Sequence, residues 1–165
     1  MSYNKLFLDT SYVIASLITK DEYFDVATKL SNEVNNAKEV WIHEGILLEV
    51  GDWFSGRNRN LGFMWIKLAY AEKFNLKIVK LTTELIEKGL ELYEKYSDKT
   101  IGLTDCISFI VMKEKGIFEA LTSDKHFEQA GFKVLLSNDW TFTQESPLSP
   151  FSNVLEKGRG WVRHY

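Results

Sequence analysis

The chain has 165 residues, 45% of them hydrophobic, 14% aromatic and 26% charged, with a formal net charge of −3. That length suits one sizeable core and is short for two, and the composition excludes a disordered or fibrous chain. The acidic balance lacks the basic surplus that announces nucleic-acid binding, yet bound cations reverse the local sign where a phosphate must sit, so charge excludes no substrate class.

Lys5-Leu6-Phe7-Leu8 is a short apolar run that predicts a strand ending at Asp9, and Thr10-Ser11 offers hydroxyl caps for a helix from Tyr12 to Ile18. Phe24, Ala27, Leu30 and Val34 recur at helical spacing and predict a second helix within residues 21–36. Val40-Trp41-Ile42 leans to strand, and Ile46 to Phe54 returns to a helical pattern that contains Glu49. An amphipathic helix is expected from Leu61 to Phe74, a strand from Leu76 to Leu81, and a helix over 84–96 capped by Thr82 or Thr83. Leu103-Thr104-Asp105 introduces an apolar helix over 106–115, in which Cys106 packs as a small hydrophobe and after which Gly116 suits a left-handed cap. Ala120-Leu121-Thr122 predicts a strand ending near Asp124, and Phe132 to Leu136 a last strand after Gly131.

Strands separated by helical segments make the class α/β, with a parallel sheet covered on both faces. One domain is expected over residues 1–136. A C-terminal extension, 137–165, follows, and its Trp140, Phe142, Phe151 and Trp161 are unusual for an idle linker. No run approaches the ~18 apolar residues of a membrane span, no basic-then-apolar leader opens the chain, and the one cysteine cannot form an internal disulfide. A cytoplasmic protein without a membrane partner is the expectation.

Ligands in such sheets bind beyond the carboxyl ends of the strands, where Asp9 and Asp124 stand. With 23 acidic residues in the chain, a solvated surface role is the ordinary expectation for any one of them. Asp9 directly follows a buried strand, so desolvation must be offset by a helix N-terminus, hydrogen bonds or a cation. Capping by Thr10 and Ser11 would leave it freer for a cation. Glu49, between Leu48 and Val50, fits a ligand and a carboxylate snorkelling from an apolar face equally well. Asp105 fits a dipole-stabilised anion at a helix start as well as a ligand, and Asp124 a turn opener as well as a ligand. Together the four would form the hard oxygen set that Mg²⁺ or Mn²⁺ prefers, and carboxylates so close would have raised, coupled pKa values unless a cation joined them.

Four blocks carry a resemblance: Leu6-Phe7-Leu8-Asp9-Thr10-Ser11, then Leu47-Leu48-Glu49-Val50, then Leu103-Thr104-Asp105-Cys106-Ile107-Ser108-Phe109, then Ala120-Leu121-Thr122-Ser123-Asp124-Lys125-His126-Phe127. In this order the sequence resembles the PIN-domain family, particularly the VapC-type toxins of prokaryotic toxin-antitoxin pairs. The last two blocks are the more specific. The resemblance implies a three-layer α/β/α fold with a central, mostly parallel sheet, and a metal-dependent ribonuclease in which Asp9, Glu49, Asp105 and Asp124 hold one or two Mg²⁺ or Mn²⁺ ions. Thr10, Thr104 and Ser123 are then candidates to orient the carboxylates, with Asp98 as a candidate fifth acid. Arg57, Arg59, Lys67 and Lys125 are candidate RNA-gripping cations, each also compatible with solvated surface. A homodimer and an antitoxin partner are implied as well.

A metal-activated water needs no protein nucleophile, which suits the lack of a Ser-His-Asp or Cys-His arrangement. His43, His126 and His164 lack zinc-like spacing, and His126 is expected to be structural or to touch phosphate. Two other readings of the same fold are a non-catalytic RNA- or protein-binding module, against which the full set of four acids speaks, and a DNA-directed flap nuclease or exonuclease. An aspartyl-phosphate phosphatase starting at Asp9 lacks its second aspartate, because Ser11 stands there.

Overall fold

The structure, a computed structural model, describes residues 5–71, 75–97 and 100–138. In chain order the elements are β1 (Lys5–Leu8), α1 (Thr10–Leu17), α2 (Phe24–Asn36), β2 (Glu39–His43), α3 (Glu44–Ser55), α4 (Arg59–Tyr70), β3 (Leu76–Val79), α5 (Thr83–Lys95), α6 (Leu103–Lys115), β4 (Glu119–Leu121), α7 (Lys125–Gln129) and β5 (Lys133–Val134). Leu6, Phe7 and Leu8 of β1 are all fully buried, the continuous apolar pattern of a strand covered on both faces. It accordingly lies mid-sheet in the order β3-β2-β1-β4-β5, with every pairing parallel. Helices cover both faces, so the α/β/α layering with a parallel sheet is as expected. No described helix is long and apolar enough to cross a membrane.

The packing that matters most for the site surrounds β4. Phe127 is fully buried and meets Phe109 of α6 edge-on at 4.9 Å between ring centroids, and Phe132 lies 5.7 Å from Phe109. Such aromatic pairs add roughly 0.5–1.5 kcal/mol beyond their burial. They pin the five-residue α7, too short to hold itself, against the core. Gly89 lets α5 approach α6: a Cβ there would lie 2.6 Å from Ile107 Cγ1. Gly116 ends α6 at φ 63°, the left-handed cap expected of it.

Several boundaries differ from expectation, each for a local reason. Asp9 itself caps α1, the ordinary alternative to a ligand role for it, and Thr10 and Ser11, which also offered caps, lie inside the helix. The imidazole of His43 caps α3: its Nδ1 accepts from the Gly45 N–H at 3.1 Å, and the helix starts at Glu44. Thr82 is the cap of α5, accepting from Leu85 N–H at 3.2 Å. Strand β3 stops at Val79, because the Leu81 N–H turns to Glu44 Oε2 at 2.9 Å. Helix α4 ends at Tyr70 and not at Phe74; residues 72–74 lie outside the described residues, as do Asp98 and residues 139–165, nearly all of the predicted extension. Helix α7 was not predicted at all.

Candidate functional site

The register of β1 against β4 pairs Leu8 with Leu121, which brings the residues following each strand side by side. Asp9 Oδ2 accepts from Thr122 Oγ1 at 2.7 Å and from Ser11 Oγ at 2.9 Å, with the Ser11 N–H at 3.5 Å. The same two hydroxyls accept in turn from the next loop: Ser123 N–H donates to Ser11 Oγ at 3.2 Å, and Asp124 N–H to Thr122 Oγ1 at 3.0 Å. Asp9 is 7% exposed, and burial raises its pKa against the lowering effect of the Thr122 and Ser11 hydrogen bonds.

Glu49 reaches the same place from α3, where its Oε2 accepts from Thr10 Oγ1 at 2.7 Å. The start of α3 is tied to α6 through buried polar groups. Ser108 Oγ donates to the Thr104 carbonyl at 3.0 Å, so it must accept from His43 Nε2 at 2.9 Å. With Nδ1 accepting from Gly45, the imidazole is neutral and carries its proton on Nε2. Burial holds its pKa down at about 4.

Asp105 lies in the first turn of α6 and accepts from the Gly102 N–H at 3.1 Å, closing half of a capping box. Its pKa is pushed up to about 6, chiefly by burial and then by the charges of Asp9, Asp124 and Glu49. Asp124 caps α7: its Oδ1 accepts from the His126 N–H at 2.9 Å. The His126 ring folds back on it, with Nδ1 3.0 Å from Oδ1, while Nε2 lies 3.2 Å from Thr100 Oγ1. One donor atom from each of Asp105, Asp124 and His126 lies within 4.8 Å of the others.

A sequence profile of the PIN domain matches residues 6–133. The chain belongs to the PIN domain family. Solved structures similar to this PIN domain include the VapC20 toxin of Mycobacterium tuberculosis, which cleaves the sarcin-ricin loop, at 23% identity and a TM-score of 0.70, covering 77% of this chain and 95% of that one. VapBC2 of Rickettsia felis, bound to a DNA fragment from its promoter, is similar at 14% identity and TM-score 0.55, covering 79% of this chain and 96% of that one. VapBC-1 of nontypeable Haemophilus influenzae is similar at 13% and 0.52, with the same two coverages of 79% and 96%. Sequence comparison with curated proteins finds no significant match.

Within this PIN domain, Asp9, Glu49, Asp105 and Asp124 lie near enough for the first, second and last to act electrostatically on the third. Of the residues expected to orient them, Thr10 bonds Glu49 directly. The Thr104 carbonyl accepts from Ser108 and the Ser123 N–H donates to Ser11 Oγ, neither bond being to a carboxylate. Lys125 follows Asp124 and is exposed. Arg57 instead lies over the Trp53 ring at 4.4 Å and donates to the Trp53 carbonyl at 2.8 Å. Arg59 and Lys67 are exposed on α4. Ser11, Thr122 and His43 are the residues beside the acids that sequence reading missed, and Ser11 and Thr122 make the closest contacts to Asp9.

Proposed function

We propose that this PIN domain is a divalent-metal-dependent endoribonuclease that hydrolyses RNA phosphodiester bonds, and that it is the toxin of a type II toxin-antitoxin pair. The observation that carries the reading is the convergence of four carboxylates beyond β1 and β4, with Asp105 held at a pKa of about 6 by burial and its three acidic neighbours. That crowding is relieved by a cation, so the donor set fits Mg²⁺ or Mn²⁺. A bound ion supplies an acidic water near neutral pH and screens the charge on the leaving oxygen.

The chain's own part is to hold the donors. Asp9 is fixed by two hydroxyls and Asp124 by its turn, Glu49 is aimed by Thr10, and Asp105 accepts one backbone hydrogen bond. Lys125 is next to the acids and contacts the phosphate backbone, with Arg57, Arg59 and Lys67 gripping strand further along the α3–α4 hairpin. The similarity to the VapBC2 and VapBC-1 structures supports a protein partner for this chain, and the reading extends to an antitoxin, a homodimer and a cytoplasmic setting.

The test is incubation of the purified protein with structured and unstructured RNA, with Mn²⁺ or EDTA, beside Asp9→Asn and Asp105→Asn. Cleavage is expected only with cation and only in the unsubstituted protein. Cleavage that persists in both variants overturns the assignment of the site, and cleavage of branched DNA in place of RNA overturns the substrate. Light scattering checks the dimer, and co-purification with the product of an adjacent small reading frame checks the antitoxin.

A further inference from the structure

We infer that His126 is a fifth donor of this centre: when a cation is bound, its Nδ1 coordinates the ion shared by Asp105 and Asp124, while Thr100 holds Nε2. The inference rests on the metal-site reading above and adds to the four-carboxylate set a nitrogen ligand that biases the centre toward Mn²⁺ over Mg²⁺.

Three features converge on this. The His126 ring is turned toward the acids, with Nδ1 3.0 and 3.3 Å from the two oxygens of Asp124. A nitrogen of His126 and one oxygen each of Asp105 and Asp124 fit within 4.8 Å, a span over which three donors can face one ion. The far nitrogen, Nε2, meets Thr100 Oγ1 at 3.2 Å. A metal-bound histidine ordinarily has its other ring nitrogen held in this way, which fixes tautomer and ring orientation.

The neighbouring packing keeps the ring in position: Phe127, the next residue, is fully buried, and the His126 N–H is tied to Asp124. In the tautomer with its proton on Nδ1, the ring donates to Asp124 and Nε2 accepts from the Thr100 hydroxyl. In the other tautomer Nε2–H donates to Thr100 Oγ1 and the Nδ1 lone pair is free to face an ion. A hydroxyl serves both states because it donates as readily as it accepts. Mg²⁺ keeps oxygen ligands and water, and an imidazole nitrogen adds little to its binding; Mn²⁺ accepts the nitrogen.

The test measures binding. Titration calorimetry of the metal-free protein with MnCl₂ and with MgCl₂ is run on the unsubstituted protein, His126→Asn, Thr100→Val and Asp105→Asn, with thermal melts to establish folding. The asparagine amide can still donate to Asp124 but offers no imidazole lone pair. His126→Asn is expected to weaken Mn²⁺ about tenfold and Mg²⁺ less than about twofold, with Thr100→Val weakening Mn²⁺ to a smaller degree. A readout that needs no variant is the electron spin-echo spectrum of the Mn²⁺-loaded protein labelled with ¹⁵N-histidine, where a directly bound nitrogen is expected to couple. Absence of that coupling, equal loss of both ions, or normal Mn²⁺ binding in His126→Asn overturns the inference. If Asp105→Asn abolishes binding while His126→Asn does not, the metal-site reading stands and this one falls. If the unsubstituted protein takes neither ion, both fall.

Discussion

Asp9 and Asp105 are two acids of one site, held in opposite ways. Asp9, beyond β1, is buried and surrounded by hydroxyl donors from two loops. Asp105, on the first turn of α6, has one backbone donor and three acidic neighbours. Burial raises the pKa of both; at Asp9 three hydrogen bonds oppose the rise and only Glu49 adds to it, whereas at Asp105 one hydrogen bond, from Gly102, opposes it and three acids add to it. The difference teaches that the β1 side of the site is held by the protein's own donors, while the α6 side carries more uncompensated negative charge.

Substituting Asp105 should give the largest effects. Asp105→Asn is expected to lower RNA cleavage by roughly a thousandfold or more at saturating Mn²⁺, because a donor to the reacting centre is lost. The same change should stabilise the metal-free protein. Its folded pKa of about 6 lies above the ordinary 3.8 of an aspartate, so the stability linked to Asp105 is present in full below pH 3.8 and lost as pH rises through 6. At pH 7 in EDTA the ionised group costs on the order of 2 kcal/mol, and Asp105→Asn should raise Tm by roughly 4–8 °C. A Tm that falls instead would break the contrast with Asp9.

His43 sharpens the comparison from the other direction. Its folded pKa of about 4 lies below 6.5, so its contribution is present above pH 6.5 and lost as pH falls through 4. The two groups offset one another over that interval in the metal-free protein. Melts of Asp105→Asn between pH 7 and 4 should therefore expose an acid-side loss that the parent protein masks.

Thr122→Val removes the shorter of the hydroxyl bonds to Asp9 and leaves the Asp124 N–H without its acceptor; a loss of about 1–3 kcal/mol in urea unfolding is expected. Thr10→Val should cost under about 1 kcal/mol, since its partner Glu49 is only half-buried and water can replace the hydroxyl. If the two valine variants are equally destabilised, the rigid and yielding halves of the site are not distinct.

The sequence made the strand ends legible because a buried parallel strand reads as an uninterrupted apolar run, and Leu6-Phe7-Leu8 stops directly at Asp9. The order of the four blocks made the family legible. The hydroxyls around Asp9 were not legible, since Ser11 and Thr122 meet only through the β1–β4 register across 111 residues. Nor was His43, whose cap on α3 and hydrogen bond to Ser108 require knowing that β2 ends against α6. The five residues of α7 carry too little periodicity to register, and the helix exists because Phe127 is anchored and Asp124 caps it. The crowding expected of the carboxylates is there, but burial outweighs mutual repulsion in raising Asp105.

The link from Thr122 to Asp9 also sets a schedule. The two residues are 113 positions apart, and at translation rates of roughly 5–20 residues per second the second is made about 6–23 s after the first. Until then β1 has no β4 beside it, Asp9 lacks its hydroxyls, and α6 has no neighbouring Asp124. The site proposed to cut RNA is therefore completed only after β4 and the residues beyond it have been made, so the order of synthesis delays its assembly.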